Sequence, residues 1–328
     1  MKPSEILAEF ALVAARKIAI STEKSYQVWI QKYFKFLATP EARKAESSER
    51  KMEVFLSNMA REDYSSISQN QAFNALLFLY RHVLKKDLQG VDALRARRSS
   101  RARYTPTPDE ILAMLQKLEN TPGHNVRLAV GMAYACGLRV SEVCQIRIKD
   151  FDLDRMVATV FEGKNDKDRT VRLPETLLTS IHRQLTRATA LAEIDIAAGQ
   201  PVQLPGRLAI KCPSWQFETR WHFLFPATNT CTHPRTGKTV RWCVGPDVIQ
   251  RAVKRAAQAA GVAGKVTPHC LRHSFCSHLL DRGENIKRVA EAMGHTDIRT
   301  TAGYGRKDCE QMTSPLDRIV PFPNHKTA

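Results

Sequence analysis

The sequence predicts a mainly α-helical protein with a small β-sheet, divided into two domains by a basic linker. Three observations carry that reading. Apolar residues recur at helical spacing over 5–20, 22–38, 49–61 and 67–85, as in Tyr26, Trp29, Ile30, Tyr33, Phe34 and Leu37. Two β-rich segments, Met156 to Val160 and Thr170 to Leu173, flank the polar turn Gly163-Lys164-Asn165-Asp166-Lys167-Asp168. Five arginines fall between 95 and 103, and Thr105-Pro106-Thr107-Pro108 follows, which cannot continue a helix. A chain of 328 residues has room for about two domains, each with its own core.

In chain order, residues 1–94 read as an all-helical domain and 95–106 as the linker. Residues 107–328 read as a second domain with an insertion at 199–246. Thr107-Pro108-Asp109-Glu110 opens a helix with a capping residue, a proline in the first turn and acids against the helix dipole. A second helix runs from about Val126 to Ala135 and stops at Cys136-Gly137. Ser141 is expected to cap a short helix through Ile146. Leu177 to Ala198 is helical again. The insertion holds three of the four tryptophans, Trp215, Trp221 and Trp242. Helices over 246–260, 268–281 and 285–293 follow, separated by glycines.

The charge excludes some functions and suggests others. Fifty Lys+Arg against 33 Asp+Glu leave a net +17, a field that seeks polyanions. Residues 1–104 carry nearly half of that excess. Arg95, Arg97, Arg98, Arg101 and Arg103 are dense enough to lie along a phosphate backbone. No apolar run reaches the ~18 residues of a membrane span. The eight cysteines form no C-x-x-C pair, and Cys231, His233 and Cys243 fit no zinc spacing, so neither a disulfide framework nor a metal site is expected. The start Met1-Lys2-Pro3-Ser4-Glu5-Ile6 lacks the pattern of a signal peptide, and a cytoplasmic protein is expected.

The chemistry-bearing residues are spread along the second domain. His269 and Arg272 lie three apart in the first turn of a helix, on one face and where the dipole attracts an anion. Arg139 sits at a glycine-marked turn, Lys164 in the predicted hairpin, and His295 and Tyr304 lie nine apart. Two arginines, a lysine, two histidines and a tyrosine, with no phosphate-cradling glycine loop and no acidic metal cluster, suit attack on a phosphodiester. Two guanidiniums clamp the non-bridging oxygens and stabilise the charge of the pentavalent transition state. A phenol of pKa ~10 becomes a nucleophile once its proton is drawn off, and the alkoxide leaving group needs a proton in return. Lys164 and His269 can supply those transfers, so no metal or other cofactor is expected.

The segments Ala135-Cys136-Gly137-Leu138-Arg139-Val140-Ser141-Glu142, Glu162-Gly163-Lys164, His269-Cys270-Leu271-Arg272-His273-Ser274-Phe275 and Met293-Gly294-His295-Thr296-Asp297 through Tyr304 resemble the tyrosine recombinase (phage integrase) family. The resemblance covers about 105–310, and the helical first domain is similar to the family's SAM-like core-binding domain. It implies an α/β catalytic domain that forms a C-shaped clamp on DNA with the core-binding domain. It also implies Arg139 and Arg272 as the phosphate clamp, Lys164 as general acid toward the leaving 5′ oxygen and His269 as acid/base. His295 would hydrogen-bond the phosphate, Tyr304 would be the nucleophile, and Glu142 would orient Arg139. The partners implied are DNA and three further copies of the chain, since two-site recombination takes four cleavages.

Residues 199–246 resemble the extra segment of integron integrases, through Leu204-Pro205, Lys211-Cys212-Pro213, Arg220-Trp221-His222-Phe223-Leu224-Phe225-Pro226, His233-Pro234-Arg235 and Arg241. Ser314-Pro315-Leu316-Asp317 resembles that subgroup too. By this resemblance the protein integrates and excises gene cassettes, and the insertion grips bases protruding from a folded single-stranded hairpin through Trp221, Pro234, Arg241 and Trp242. Trp242-Cys243 stands where the subgroup commonly has two histidines. The alternatives are a phage-type or chromosomal recombinase on duplex sites, a type IB topoisomerase, and a DNA-binding regulator whose helix-turn-helix would be Val289 to Asp297.

Overall fold

The computed structural model describes residues 2–96, 104–120, 123–161 and 168–294. The chain forms two compact units, Met1–Ala102 and Arg103–Ala328. The first is helical throughout: α1 (Pro3–Lys17), α2 (Ile20–Leu37), a short α3 (Pro40–Arg43), α4 (Ser48–Arg61) and α5 (Ser66–Phe78), which continues as a π-helical turn over Leu79–Val83. The seams that periodicity marks are the ones buried, with Phe10, Ile30, Tyr33, Met52, Leu56, Leu76 and Leu79 at the centre. Short α3 carries no periodic signal of its own. Thr39 makes it, accepting from the Ala42 N–H ahead of Pro40. Buried Gln69 donates to the carbonyls of Leu56 and Leu94 and accepts from the Ala96 N–H, which fastens the start of the linker to this core.

In the second unit α6 (Pro108–Lys117) begins at a reciprocal cap. Thr107 Oγ1 accepts from the Glu110 N–H, and Glu110 reaches back to the Thr107 N–H. Next come α7 (Val126–Ala135), α8 (Val140–Gln145) and a three-stranded antiparallel sheet of β1 (Phe151–Asp152), β2 (Val157–Val160) and β3 (Arg169–Arg172) in the order β1-β2-β3. Val160 pairs with Arg169 at the end of the β2–β3 ladder. Then follow α9 (Glu175–Ala197), the insertion with α10 (Leu208–Lys211) and the small ribbon of β4 (Cys231–Thr232) and β5 (Thr239–Val240), α11 (Pro246–Ala259), α12 (Pro268–Asp281) and α13 (Ile286–Met293).

One expectation changes in detail. Ser141 does not cap α8: it is the second helical residue, and Glu142 closes the start of the helix by accepting from the Arg139 N–H. The insertion packs into the core of the second unit. Val202, Leu204, Phe223, Leu224, Phe225 and Val244 join Leu138, Val143, Ile181 and Val253 in one apolar core. Those aromatic and branched side chains bury enough area to hold the segment down without a hydrophobic core of its own.

Candidate active site

The site grows from the turn between α7 and α8. Gly137 has φ +60°, and a Cβ there would lie 2.5 Å from Phe275 Cδ1, so both the backbone sense and the close approach of α12 require glycine. The turn swings Arg139 to the N-terminus of α8, where its Nη1 donates to Glu142 Oε1 at 2.7 Å. Its side chain stays 36% exposed.

One helical turn separates His269 from Arg272 on α12. Arg272 is 1% exposed. Its Nη1 donates to the Gly137 carbonyl at 2.6 Å, its Nη2 donates to the Met293 carbonyl at the end of α13, and Nη1 lies 3.8 Å from Glu142 Oε2. His269 is exposed, its ring edge-on to His273 at 5.0 Å, and it lines a cavity of about 550 Å³ with Val140, Lys254 and Thr267. The structure therefore brings Arg139, Glu142 and Arg272 together, with His269 on the same helix as Arg272.

A third guanidinium, not anticipated from sequence, completes the cluster. Arg169 of β3 donates to Glu142 Oε2 at 2.7 Å and Oε1 at 3.1 Å, and its Nε donates to the Ala292 carbonyl at 2.9 Å. The signal was the alternation on β3, where Arg169 shares the buried face with Val171. A charged residue in phase with a core residue needs a partner.

Lys164, His295 and Tyr304 lie outside the described residues, as do Arg97, Arg98, Arg101 and Arg103. Arg95 is exposed, its guanidinium 5.3 Å from the centre of the Phe73 ring.

In the insertion the structure places two of the expected DNA contacts largely inside the protein. Arg241 is 8% exposed. Its Nε and Nη2 grip Asp195 at 2.7 and 2.6 Å, and its Nη1 donates to the carbonyls of Ala227 and Thr228. Trp221 is 9% exposed and stacked on Trp215, with ring centres 4.7 Å apart. It forms a wall of a cavity of about 570 Å³ beside Arg139 and Phe161, where the Lys149 ammonium sits 3.8 Å from the Phe161 ring and 4.8 Å from that of Trp221. Pro234 is exposed, and Trp242 is half-buried with its indole stacked on His233. Burial lowers the pKa of the neighbouring His222 to about 4. Among the described residues no helix is long and apolar enough to cross a membrane.

The mostly helical fold with its small sheet is shared with solved integrases and recombinases bound to DNA. The Tn1549 transposon integrase in complex with transposon right end DNA superposes with a TM-score of 0.60 at 15% identity, covering 91% of this chain and 94% of that one. XerH bound to its palindromic difH substrate in a post-cleavage complex gives 0.59 at 19%, covering 90% and 79%. An integrase/recombinase of Escherichia coli is 37% identical over 314 residues, covering 94% of this chain and 91% of its own. Tyrosine recombinase XerA of Pyrococcus furiosus is 28% identical over 319 residues, covering 96% and 94%. The phage integrase family profile matches residues 105–311, and that of the phage integrase N-terminal SAM-like domain matches 9–90. The chain belongs to the phage integrase family, and it is a site-specific tyrosine recombinase.

Proposed function

We propose that this recombinase cuts and rejoins DNA through a 3′-phosphotyrosyl intermediate at Tyr304, and that it is an integron integrase acting on gene-cassette sites folded from a single strand. The observation that carries the catalytic reading is the convergence of Arg139 and Arg272 on Glu142. The Tyr304 oxygen bonds to phosphorus as the bond to the 5′ oxygen breaks. The phenolic proton passes to His269, and Lys164 protonates the departing 5′ oxygen. Arg139 and Arg272, with His295, stabilise the equatorial oxygens, where such preorganised donors are each worth about 10²–10³ in rate. The phosphodiester energy stays in the tyrosyl linkage, so rejoining runs the same step in reverse without ATP.

In this reading residues 1–94 are the core-binding domain, 95–106 the basic linker along the phosphates and 107–328 the catalytic domain. Four copies act on two sites in the cytoplasm. The integron assignment is supported by the insertion at 199–246, where exposed Pro234 and half-buried Trp242 present a base-stacking surface while Trp221 and Arg241 brace it from within. The alternative, a phage-type or chromosomal recombinase on duplex sites, draws on the likeness to XerA and XerH.

The test is covalent capture from two randomised libraries, one of nicked duplexes and one of hairpins with protruding bases. Adducts that survive denaturation are sequenced. Wild type is expected to capture hairpins, and Tyr304→Phe nothing. Capture by Tyr304→Phe refutes the nucleophile, and capture of duplexes alone replaces the integron reading with the duplex one.

A further inference from the structure

Strand β3, α8 and the end of α13 meet at one side chain that the reaction as described does not use. Arg169 holds both oxygens of Glu142 with two nitrogens and the Ala292 carbonyl with the third. Glu142 is also the carboxylate that holds Arg139 and lies 3.8 Å from Arg272. Ala292 belongs to the last turn of α13, whose carbonyls have no partner within the helix. Arg169 takes the carbonyl of Ala292 and Arg272 that of Met293, so two cations close this helix end where the dipole favours them. Gly294, left-handed at φ +64°, then ends α13, and the chain goes on to His295. At its other side Arg169 pairs with Val160 at the foot of the β2–β3 ladder, and the chain between those two residues carries Lys164.

We propose that Arg169 is a positioning residue for strand cleavage, tying the carboxylate that holds Arg139 to the end of α13 and the foot of the β2–β3 ladder. Stability alone does not account for it. A buried ion pair adds little over a well-packed apolar side chain of similar volume. An apolar side chain at 169 would fill the same space, but it would take from Glu142 the guanidinium that holds both its oxygens and from the Ala292 carbonyl its Arg169 donor. The carboxylate would then draw Arg139 toward itself, and the end of α13 would lose one of its two anchors. Displacements near 1 Å in such a site cost about 10²-fold in rate.

The inference rests on the reading of Arg139 and Arg272 as phosphate-facing, and the test separates the two. The probe is a suicide DNA recovered by covalent capture on wild-type protein. Its affinity is measured by gel shift, its capture rate at saturating protein, and the folded fraction by thermal melting. Arg169→Gln is expected to bind within about 3-fold of wild type and to react about 10- to 100-fold more slowly. Arg169→Lys keeps the charge but cannot span Glu142 and Ala292 together, so it should fall between the two. The double variant Arg169→Gln/Glu142→Gln should lose little more than the worse single, because the two residues act as a unit.

Wild-type rates in Arg169→Gln, a defect confined to affinity or folded fraction, or losses that simply multiply in the double variant would each overturn the proposal. Should the glutamine variant not fold, Arg169→Lys decides by the same measurements, wild-type rate being the contrary result. No capture by wild type, or full-rate capture by Arg139→Ala, refutes the underlying site reading instead.

Discussion

Two buried charge arrangements within the second unit join arginine to a carboxylate in different proportions. In one, Asp195 and Arg241 face each other with two short bonds, and the remaining guanidinium nitrogen reaches two carbonyls, so charge and donors are matched inside the protein. In the other, one carboxylate, Glu142, is shared by Arg139, Arg169 and Arg272, and the Arg139 side chain stays 36% exposed. A matched buried pair holds two segments together, here α9 and the end of the insertion. Several guanidiniums on one carboxylate leave a net positive charge, which attracts an anion from outside. What separates them is how the carboxylate is shared, not how buried the arginines are: Arg169, Arg272 and Arg241 are all buried.

The sharpest way to break this contrast is to unpair the matched cluster. Asp195→Ala leaves the Arg241 charge buried without its counter-ion and should cost about 3–5 kcal/mol of stability. Replacing both residues, as Asp195→Leu/Arg241→Met, should restore most of it. DNA affinity should be unchanged in the folded double variant; a loss of affinity with normal folding would make Arg241 a DNA contact after all. Gly137→Ala should come next, destabilising by about 2–4 kcal/mol through the left-handed backbone and the collision with Phe275. It sharpens the contrast because the Gly137 carbonyl is an acceptor for Arg272. The protein that remains folded should also react slowly, whereas folded Asp195→Ala should not.

His222 gives the smallest effect and belongs to the matched side. Its pKa falls from 6.5 to about 4 on folding, because burial disfavours the charged ring. Below pH 6.5 the unfolded chain takes up a proton that the folded one refuses. Stability should therefore drop as pH falls from about 6.5 to about 4, by on the order of 2–3 kcal/mol. Denaturant midpoints at pH 7 and 4.5 should show this slope reduced in His222→Gln; an equal slope in both proteins would remove His222 from the account.

The helical frame was legible because apolar residues at a 3.6 period report a buried face directly, as over Tyr26 to Leu37 and in α12, where the same period set His269 and Arg272 one turn apart. What the sequence concealed was pairing over distance. Arg241 finds Asp195 across 46 positions and Arg169 finds Ala292 across 123, and no local pattern announces either. Trp221 shows a related difficulty: an aromatic-rich segment reads the same whether its rings face a ligand or stack on each other, as Trp215 and Trp221 do. For Arg169 the clue was present, a charge in phase with the buried face of β3, but its partner was not.

In the proposed mechanism the charge shared across Glu142 acts on the scissile phosphate during bond breaking and not on binding. The direct measurement is the rate of covalent capture on saturating suicide DNA by Arg139→Ala, taken beside its gel-shift affinity. The account predicts a rate about 10²–10³-fold below wild type with affinity within a few-fold, because a transition-state contact is lost while the background phosphate contacts remain. A variant that binds poorly yet reacts at the wild-type rate once saturated would contradict it.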